Sequence, residues 1–149
     1  MNYENLLRGH GLKVTPQRLG ILSLMDQQGH MNVDDLYLQI KEKFASISLA
    51  TMYKNINAMM SASIITEIKI PKQKSRFEIV KESHGHLLCQ ECGEFMDIEL
   101  DIAKMVDDVS AKSSYQLFEA SLVLSGICPL CQHSSASPVS FLPVAHIHT

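Results

Sequence analysis

All four cysteines of this 149-residue chain fall in two matched pairs, Cys89-Gln-Glu-Cys92 and Cys128-Pro-Leu-Cys131. A spacer of two residues lets one turn direct both thiolates at a single ion, and zinc prefers a tetrahedron of four soft ligands in structural sites. The pairs therefore predict one structural zinc ion per chain, bound by Cys89, Cys92, Cys128 and Cys131. Such a site would anchor the second half of the chain.

Disulfides and redox-active dithiols are the two alternative uses of these pairs. Disulfides need an oxidising compartment, and the first residues, Met1-Asn2-Tyr3-Glu4, lack the basic and apolar segments of a secretion signal. A thioredoxin-like dithiol needs only one pair and lies in a βαβ unit. No apolar run reaches the length of a membrane span, so we expect a cytoplasmic protein.

The net charge of −3 conceals an asymmetry between the two halves of the chain. Residues 1–81 contain 11 Lys and Arg against 7 Asp and Glu, whereas residues 82–149 contain 2 against 9. A basic half and an acidic half predict different partners for the two parts, although a difference of this size can also arise by chance.

The first half shows the pattern of three helices followed by a β-hairpin. Thr15-Pro16 is a typical helix start, Gly29 ends that helix, Asn32 begins the next, and Ser46 or Ser48 begins the third. Alternating β-branched residues at 64–70, a basic turn at 71–75 and a return strand at 76–80 predict the hairpin. This order is typical of a winged helix, whose third helix enters the major groove of DNA.

The third predicted helix has an apolar face and a polar face. The residues predicted on its exposed polar face are Thr51, Tyr53, Lys54, Asn55 and Asn57. Such side chains can hydrogen-bond base edges or phosphates, and Lys72 and Lys74 at the hairpin tip can reach the backbone. An ordinary solvated helix face is the alternative interpretation.

The second half reads as a small α+β unit. Strands are predicted at 83–89 and 94–100, one helix is marked by Ile102, Met105, Val106 and Val109, and further strands are predicted at 115–118 and 121–124. His84 and His86 would point to the same side of their strand, with Asp97 within reach on the next one. These three residues predict a second metal site, although histidines of this kind are often structural or simply exposed.

Taken together, these segments resemble the Fur family of bacterial metal-dependent repressors. The matching stretches are Gly11–Arg18, His30–Tyr37, Ile47–Asn55, Arg76–Glu78, His84–Gly93 and Cys128–Cys131. The resemblance implies an α+β protein with three parts: a winged-helix DNA-binding domain with hinge at 1–81, a dimerisation and metal-binding domain at 82–133, and a flexible tail at 134–149. It also implies a homodimer on double-stranded operator DNA, with Lys13, Gln17 and Arg18 as further DNA-binding residues.

The resemblance further implies a regulatory metal ion, Fe(II) or Mn(II), one per chain. Its ligands by motif position are His30, Glu78, His84, His86 and Asp97. Aspartate at position 97 is similar to the peroxide-sensing branch of the family, whereas iron regulators usually have glutamate there. In the peroxide sensors the histidines that become oxidised match His30 and His84.

Several positions depart from the family pattern. Ser83 and Gly85 stand where many iron regulators carry ligands of an additional metal site, and that site's further histidine is replaced near Glu119–Ala120. Glu78 stands where peroxide sensors often have aspartate. Lys54 replaces the more usual arginine, which keeps the charge but loses the bidentate fork.

The sequence thus predicts a DNA-binding repressor, not an enzyme, that senses peroxide through iron-catalysed oxidation of its metal-ligand histidines. The alternative is a repressor of metal-uptake genes that responds to iron or another metal. More remote alternatives are a metalloenzyme without DNA binding and a zinc-stabilised interaction module. The signal, the operator and a role for His146 and His148 in the tail are not determined by the sequence.

Overall fold

The computed structural model describes residues 1–134, which fall into two compact units. The first unit is Met1–Glu82, and the second begins at Ser83. The predicted tail at 134–149, with His146 and His148, lies outside the described residues except for Ser134. None of the described helices is long and apolar enough to cross a membrane.

The first unit contains four helices, each of which begins at a residue that the sequence equips for it. The helices are α1 (Tyr3–Gly9), α2 (Pro16–Gln28), α3 (Val33–Lys43) and α4 (Leu49–Ser61). The side chains of Thr15, Asn32 and Ser48 accept hydrogen bonds from backbone amides three residues later and so cap α2, α3 and α4. Ser48, rather than Ser46, therefore begins α4, and α1 precedes the three helices that the pattern predicted.

A three-stranded antiparallel sheet completes the first unit. Its strands are β1 (Met31–Asn32), β2 (Ile65–Ile68) and β3 (Arg76–Ile79), in the order β1-β3-β2. β2 and β3 form the predicted hairpin, and their turn at 71–75 is the wing. The winged-helix fold predicted from the sequence is confirmed.

The hydrophobic core of the first unit lies between its helices and its sheet. Its fully buried side chains include Leu7, Ile21, Leu22, Met25, Leu36, Ile40, Met52, Ile56 and Met59. They come from all four helices, each of which packs an apolar face into the core. Burial of each such side chain contributes about 1.5–3 kcal/mol, so this core holds the four helices in place.

The second unit is a small sheet with two helices. It contains β4 (His84–Cys89), β5 (Phe95–Glu99), α5 (Ile102–Ser113), β6 (Val123–Gly126) and α6 (Pro129–Ser134). The strand order is β5-β4-β6, with β5 antiparallel and β6 parallel to the central β4. β4 carries histidines at its start and a cysteine at its end.

Two sequence predictions in the second unit are wrong. Residues 115–118 form no strand, and Tyr115 and Phe118 are 70% and 84% exposed. No strand among residues 1–134 pairs with this segment, and without a partner strand the segment does not join the sheet. The next strand is Val123–Gly126 rather than the predicted 121–124, and α6 then begins at Pro129, between the two cysteines of the second pair.

Candidate metal centres and nucleic-acid interface

The four cysteines converge at one end of the second sheet. Their sulfur atoms all lie within 4.8 Å of one another. The Cys92 and Cys128 Sγ atoms are 3.8 Å apart, which matches the edge of about 3.8 Å of a tetrahedron with zinc–sulfur bonds of about 2.3 Å. This separation is nearly twice the ~2.05 Å of a disulfide bond. The cluster therefore fits a tetrahedral zinc ion and is not two disulfides.

Parallel pairing of β4 with β6 brings the two cysteine pairs together. Cys89 lies opposite Gly126, and the Gln90 amide donates to the Gly126 carbonyl at 2.8 Å. Cys128 follows Gly126 by two residues, and its amide donates to Cys89 Sγ at 3.3 Å. A strand pairing between residues far apart in sequence thus sets the geometry of the cluster.

The thiols of the cluster have strongly altered acidities. Hydrogen bonds from the backbone amides of Cys92 and Cys128 lower the pKa of the Cys89 thiol to about 6. The neighbouring Cys128 sulfur, together with burial, raises the pKa of Cys131 to about 12. Four thiolates packed this closely repel one another, and a bound cation relieves that repulsion.

A second group of metal-ligating side chains lies on one face of β4 and β5. His84 and His86 are two residues apart on β4, and Asp97 of β5 lies directly opposite His86. Asp97 Oδ1 is 3.2 Å from His86 Nε2 and 4.0 Å from His84 Nε2. Donor atoms at about 2.1 Å from one ion are separated by such distances. The sequence prediction that these three residues share one side of the sheet is correct.

Phe95 holds the His86 ring from one side. The two rings are stacked with centroids 4.9 Å apart and an interplanar angle of 13°, while the His84 ring meets His86 edge-on. His86 is 4% exposed and Phe95 is 8% exposed. Phe95 was not among the predicted site residues. It precedes Asp97 by two residues on the same strand, and this spacing indicates that both side chains lie on the same face of the sheet.

Ser83 has a structural role that the sequence analysis did not identify. Its hydroxyl accepts hydrogen bonds from the amides of Ile102 and Ala103, at 2.8 and 3.3 Å, and donates to the Leu100 carbonyl at 3.2 Å. Ser83, one of the residues that depart from the family pattern, therefore stabilises the first turn of α5. At Gly85, the second departure, a Cβ atom would lie 2.9 Å from Leu100 Cδ1.

The two remaining predicted metal ligands, His30 and Glu78, belong to the first unit. Met31 pairs with Phe77 and Asn32 with Arg76, so the same antiparallel register continued by one residue sets His30 opposite Glu78. His30 is half-buried, and Glu78 is 2% exposed on β3. The β1–β3 pairing thus brings these two positions together within one unit.

Most of the predicted DNA-binding residues are exposed on the first unit. Tyr53 and Lys54 are exposed on α4, Lys72 and Lys74 are exposed on the wing, and Lys13 is exposed in the loop before α2. Gln17, Arg18 and Thr51 are half-buried. These residues lie on α2, the loop before it, α4 and the wing, which are the elements that a winged helix turns towards DNA.

Asn55 is the exception, and its predicted place on the exposed face of the helix is wrong. Asn55 is 9% exposed, and its side chain accepts a hydrogen bond from Arg18 Nε at 3.1 Å. Its amide nitrogen donates to the Thr51 carbonyl at 3.2 Å. Asn55 therefore lies on the side of α4 that contacts α2, where Arg18 supplies the donor that its buried side-chain oxygen needs.

Lys74 is also engaged within the unit. Its ammonium forms an ion pair with Asp34, in the first turn of α3. The hydrogen bond and the charge of Asp34 raise the pKa of Lys74. Asp34 was not among the predicted site residues. The opposite charges of the wing and the start of α3 are the feature of the sequence that points to this ion pair.

Comparisons with known proteins identify relatives over most of the chain. The profile of the Ferric uptake regulator family matches residues 9–125. The peroxide operon regulator of Bacillus subtilis is 29% identical over 127 residues, which are 84% of this chain and 88% of that protein. Among solved structures, the ferric uptake regulator of Vibrio cholerae matches with a TM-score of 0.67 at 34% identity, over 85% of this chain and 100% of that chain.

A peroxide regulator of known structure matches equally well. The peroxide stress regulator of Campylobacter jejuni also has a TM-score of 0.67 and 34% identity, over 86% of this chain and 97% of that chain. Overall similarity therefore does not distinguish an iron signal from a peroxide signal. That distinction depends on individual residues of the site.

Proposed function

Because this chain belongs to the Ferric uptake regulator family of transcription regulators, we propose that it is a metal-dependent repressor that releases DNA when peroxide oxidises its metal-ligand histidines. Members of the family are dimeric DNA-binding regulators rather than enzymes, so the metalloenzyme alternative is not retained. Double-stranded operator DNA in the cytoplasm would be its target.

The observation that carries the peroxide proposal is the set of donors formed by His84, His86 and Asp97. Two imidazole nitrogens and one carboxylate oxygen converge there without a thiolate, which suits Fe(II) or Mn(II). Asp97 has a shorter side chain than glutamate, so it spans less of the coordination sphere. A position left to solvent is where peroxide could approach a bound ion.

We further propose that His30 and Glu78 of the first unit complete the ligand set, with one regulatory ion per chain. A cation that takes ligands from both units favours one arrangement of the units over others. If that arrangement also suits DNA, metal and DNA strengthen each other's binding by the same factor. The four-cysteine cluster would hold a separate structural zinc ion that stabilises the second unit.

Bound Fe(II) would supply the one-electron chemistry that activates peroxide. In the net reaction the oxygen–oxygen bond of hydrogen peroxide would break, one oxygen atom would insert into a ring C–H bond of His30 or His84, and the other would leave as water. An oxidised imidazole binds metal weakly, so the ion and then the DNA would be released.

A second candidate function is a repressor that responds to iron or another metal. Glu78, which stands where peroxide sensors often have aspartate, favours this alternative. The equal similarity to the ferric uptake regulator of Vibrio cholerae is compatible with it as well.

The deciding experiment compares the Fe(II)-loaded and Mn(II)-loaded protein after treatment with low concentrations of peroxide. Mass spectrometry of the peptides that contain His30 and His84 should detect the gain of one oxygen atom in the iron form alone. DNA affinity should fall in parallel. Unmodified peptides in both forms would overturn the peroxide proposal and leave the metal-responsive alternative.

The matched variant is Asp97→Glu, which keeps the carboxylate and lengthens its reach by one methylene group. We expect this variant to bind Fe(II) and DNA but to gain oxygen more slowly, because glutamate covers more of the coordination sphere. Oxidation at the unchanged rate would show that Asp97 does not determine peroxide sensitivity.

A further inference from the structure

A relay of hydrogen bonds joins α2, the loop before it and α4 in the first unit. Arg18 donates from one nitrogen to the Lys13 carbonyl at 2.8 Å and from Nε to Asn55 Oδ1 at 3.1 Å. Asn55 in turn donates to the Thr51 carbonyl at 3.2 Å. Arg18 and Asn55 are 37 residues apart in sequence, so the relay connects elements that have no covalent link nearby.

The chemistry of the partners fixes the orientation of each group in the relay. The guanidinium of Arg18 can only donate, so it requires the amide oxygen of Asn55. The Thr51 carbonyl can only accept, so it requires the amide nitrogen. Asn55 satisfies both partners at once, which neither leucine nor aspartate could do.

Asn55 is buried, unlike the residues on the exposed face of α4. Asn55 is 9% exposed, whereas its neighbour Tyr53 is 39% exposed and Lys54 is exposed. Thr51 also lies in the first turn of α4, where its amide and hydroxyl bond to Ser48, the capping residue. The relay therefore ends at the first turn of α4, where the proposed DNA surface begins.

We propose that Arg18 and Asn55 are positioning residues, which fix α4 against α2 and set the Lys13 loop, and that neither reads DNA directly. The inference rests on the proposed DNA surface, namely Lys13, Thr51, Tyr53 and Lys54. A helix that is free to shift would still meet the charged backbone, because phosphate contacts tolerate displacement. Base contacts require close geometry, so the relay determines specific affinity more than non-specific affinity.

The test uses the zinc-containing, Mn(II)-loaded protein and two duplexes. The first duplex is the one that the wild-type protein selects from a randomised library, and the second is a random sequence of equal length. The variants are Asn55→Leu, Arg18→Lys and the double variant, with Ser61→Ala as the matched control on an exposed position at the end of α4. Each is measured at several salt concentrations, and thermal melting confirms that it folds.

The positioning role predicts that Asn55→Leu weakens binding to the selected duplex about tenfold, which is a typical effect of one lost hydrogen bond to a charged group. Arg18→Lys should weaken it similarly, because lysine keeps the charge but loses the two-point fork. The double variant should be no weaker than either single variant, because both break the same relay. Binding to the random duplex should not change.

Two results would overturn the inference. If Arg18 contacts a phosphate as a simple charge, Arg18→Lys retains nearly full affinity. If Asn55 reads a base independently of Arg18, the two losses add in the double variant. The variant Lys54→Ala separates this outcome from failure of the DNA surface itself, because a Lys54→Ala protein with unchanged affinity and an unchanged salt slope would reject that surface instead.

Discussion

Cys92 is an exposed side chain that takes part in the four-cysteine cluster. It lies in the turn after β4, and its sulfur is 3.8 Å from that of Cys128, which is 36 residues later in the sequence. Among the described residues of the second unit, the buried hydrophobic side chains are Leu88, Cys89, Phe95 and Ile102. We expect a unit with so small a core to need a metal ion to stay folded.

We therefore expect Cys92→Ser to lose about one zinc ion per chain and to unfold the second unit, because structural zinc binding contributes folding energy directly. Metal analysis gives the zinc content, and circular dichroism during heating follows the unfolding. Gln90→Ala is the control, because it alters the same turn without removing a ligand. A Cys92→Ser protein that stays folded without zinc would show that the ion is dispensable.

The wing is an element whose position is restrained by an ion pair with another element. Lys74 of the wing pairs with Asp34 in the first turn of α3. The ion pair is exposed and adds little stability. It involves Lys74, however, which is one of the predicted DNA-binding residues. Under the predicted DNA contact of Lys74, Asp34 and a DNA phosphate would compete for the same ammonium group.

Asp34→Asn should consequently strengthen DNA binding and steepen its dependence on salt by about one unit of log–log slope, since one more cation becomes available for phosphate. Asp35→Asn is the matched control, because it removes a neighbouring charge from the same helix turn. Fluorescence anisotropy with labelled duplexes at several salt concentrations measures both quantities. Equal effects of the two substitutions would mean that net charge, rather than the Lys74 pair, is responsible.

At the scale of the whole molecule, the two units differ in charge and in what they leave exposed. The first unit is basic and has a continuous core, whereas the second is acidic and exposes Tyr115, Phe118 and Leu124. Large apolar side chains exposed together often mark an interface. Because members of this family are dimers, we expect a second copy to cover the segment at 115–118.

Phe118→Asp should shift the protein from dimer to monomer at micromolar concentrations, because an interface does not accommodate an unpaired carboxylate without a large cost. Analytical ultracentrifugation measures the shift. The control is Leu38→Asp, which places the same charge at a leucine that is 66% exposed on α3 of the first unit. A dimer that survives Phe118→Asp would place the interface elsewhere.

Local patterns predicted the elements whose causes are local. The caps at Thr15 and Asn32, the Gly29 helix end and the β2–β3 hairpin were all predicted because each depends on residues within a few positions of one another. The segment at 115–118 and the exposure of Asn55 were predicted wrongly. Both depend on partners distant in sequence: a strand that the described part of the chain does not place beside 115–118, and Arg18 on another helix.

Spacing and residue type alone carry the winged-helix order, the family and the chemical types of the candidate metal ligands. Only the tertiary structure decided how the two cysteine pairs meet, since parallel pairing of β4 with β6 brings Gly126 beside Cys89. It also decided that Asp97 faces His86 and that Asn55 faces Arg18. These contacts follow from strand register and helix packing, which depend on the whole unit rather than on any local pattern.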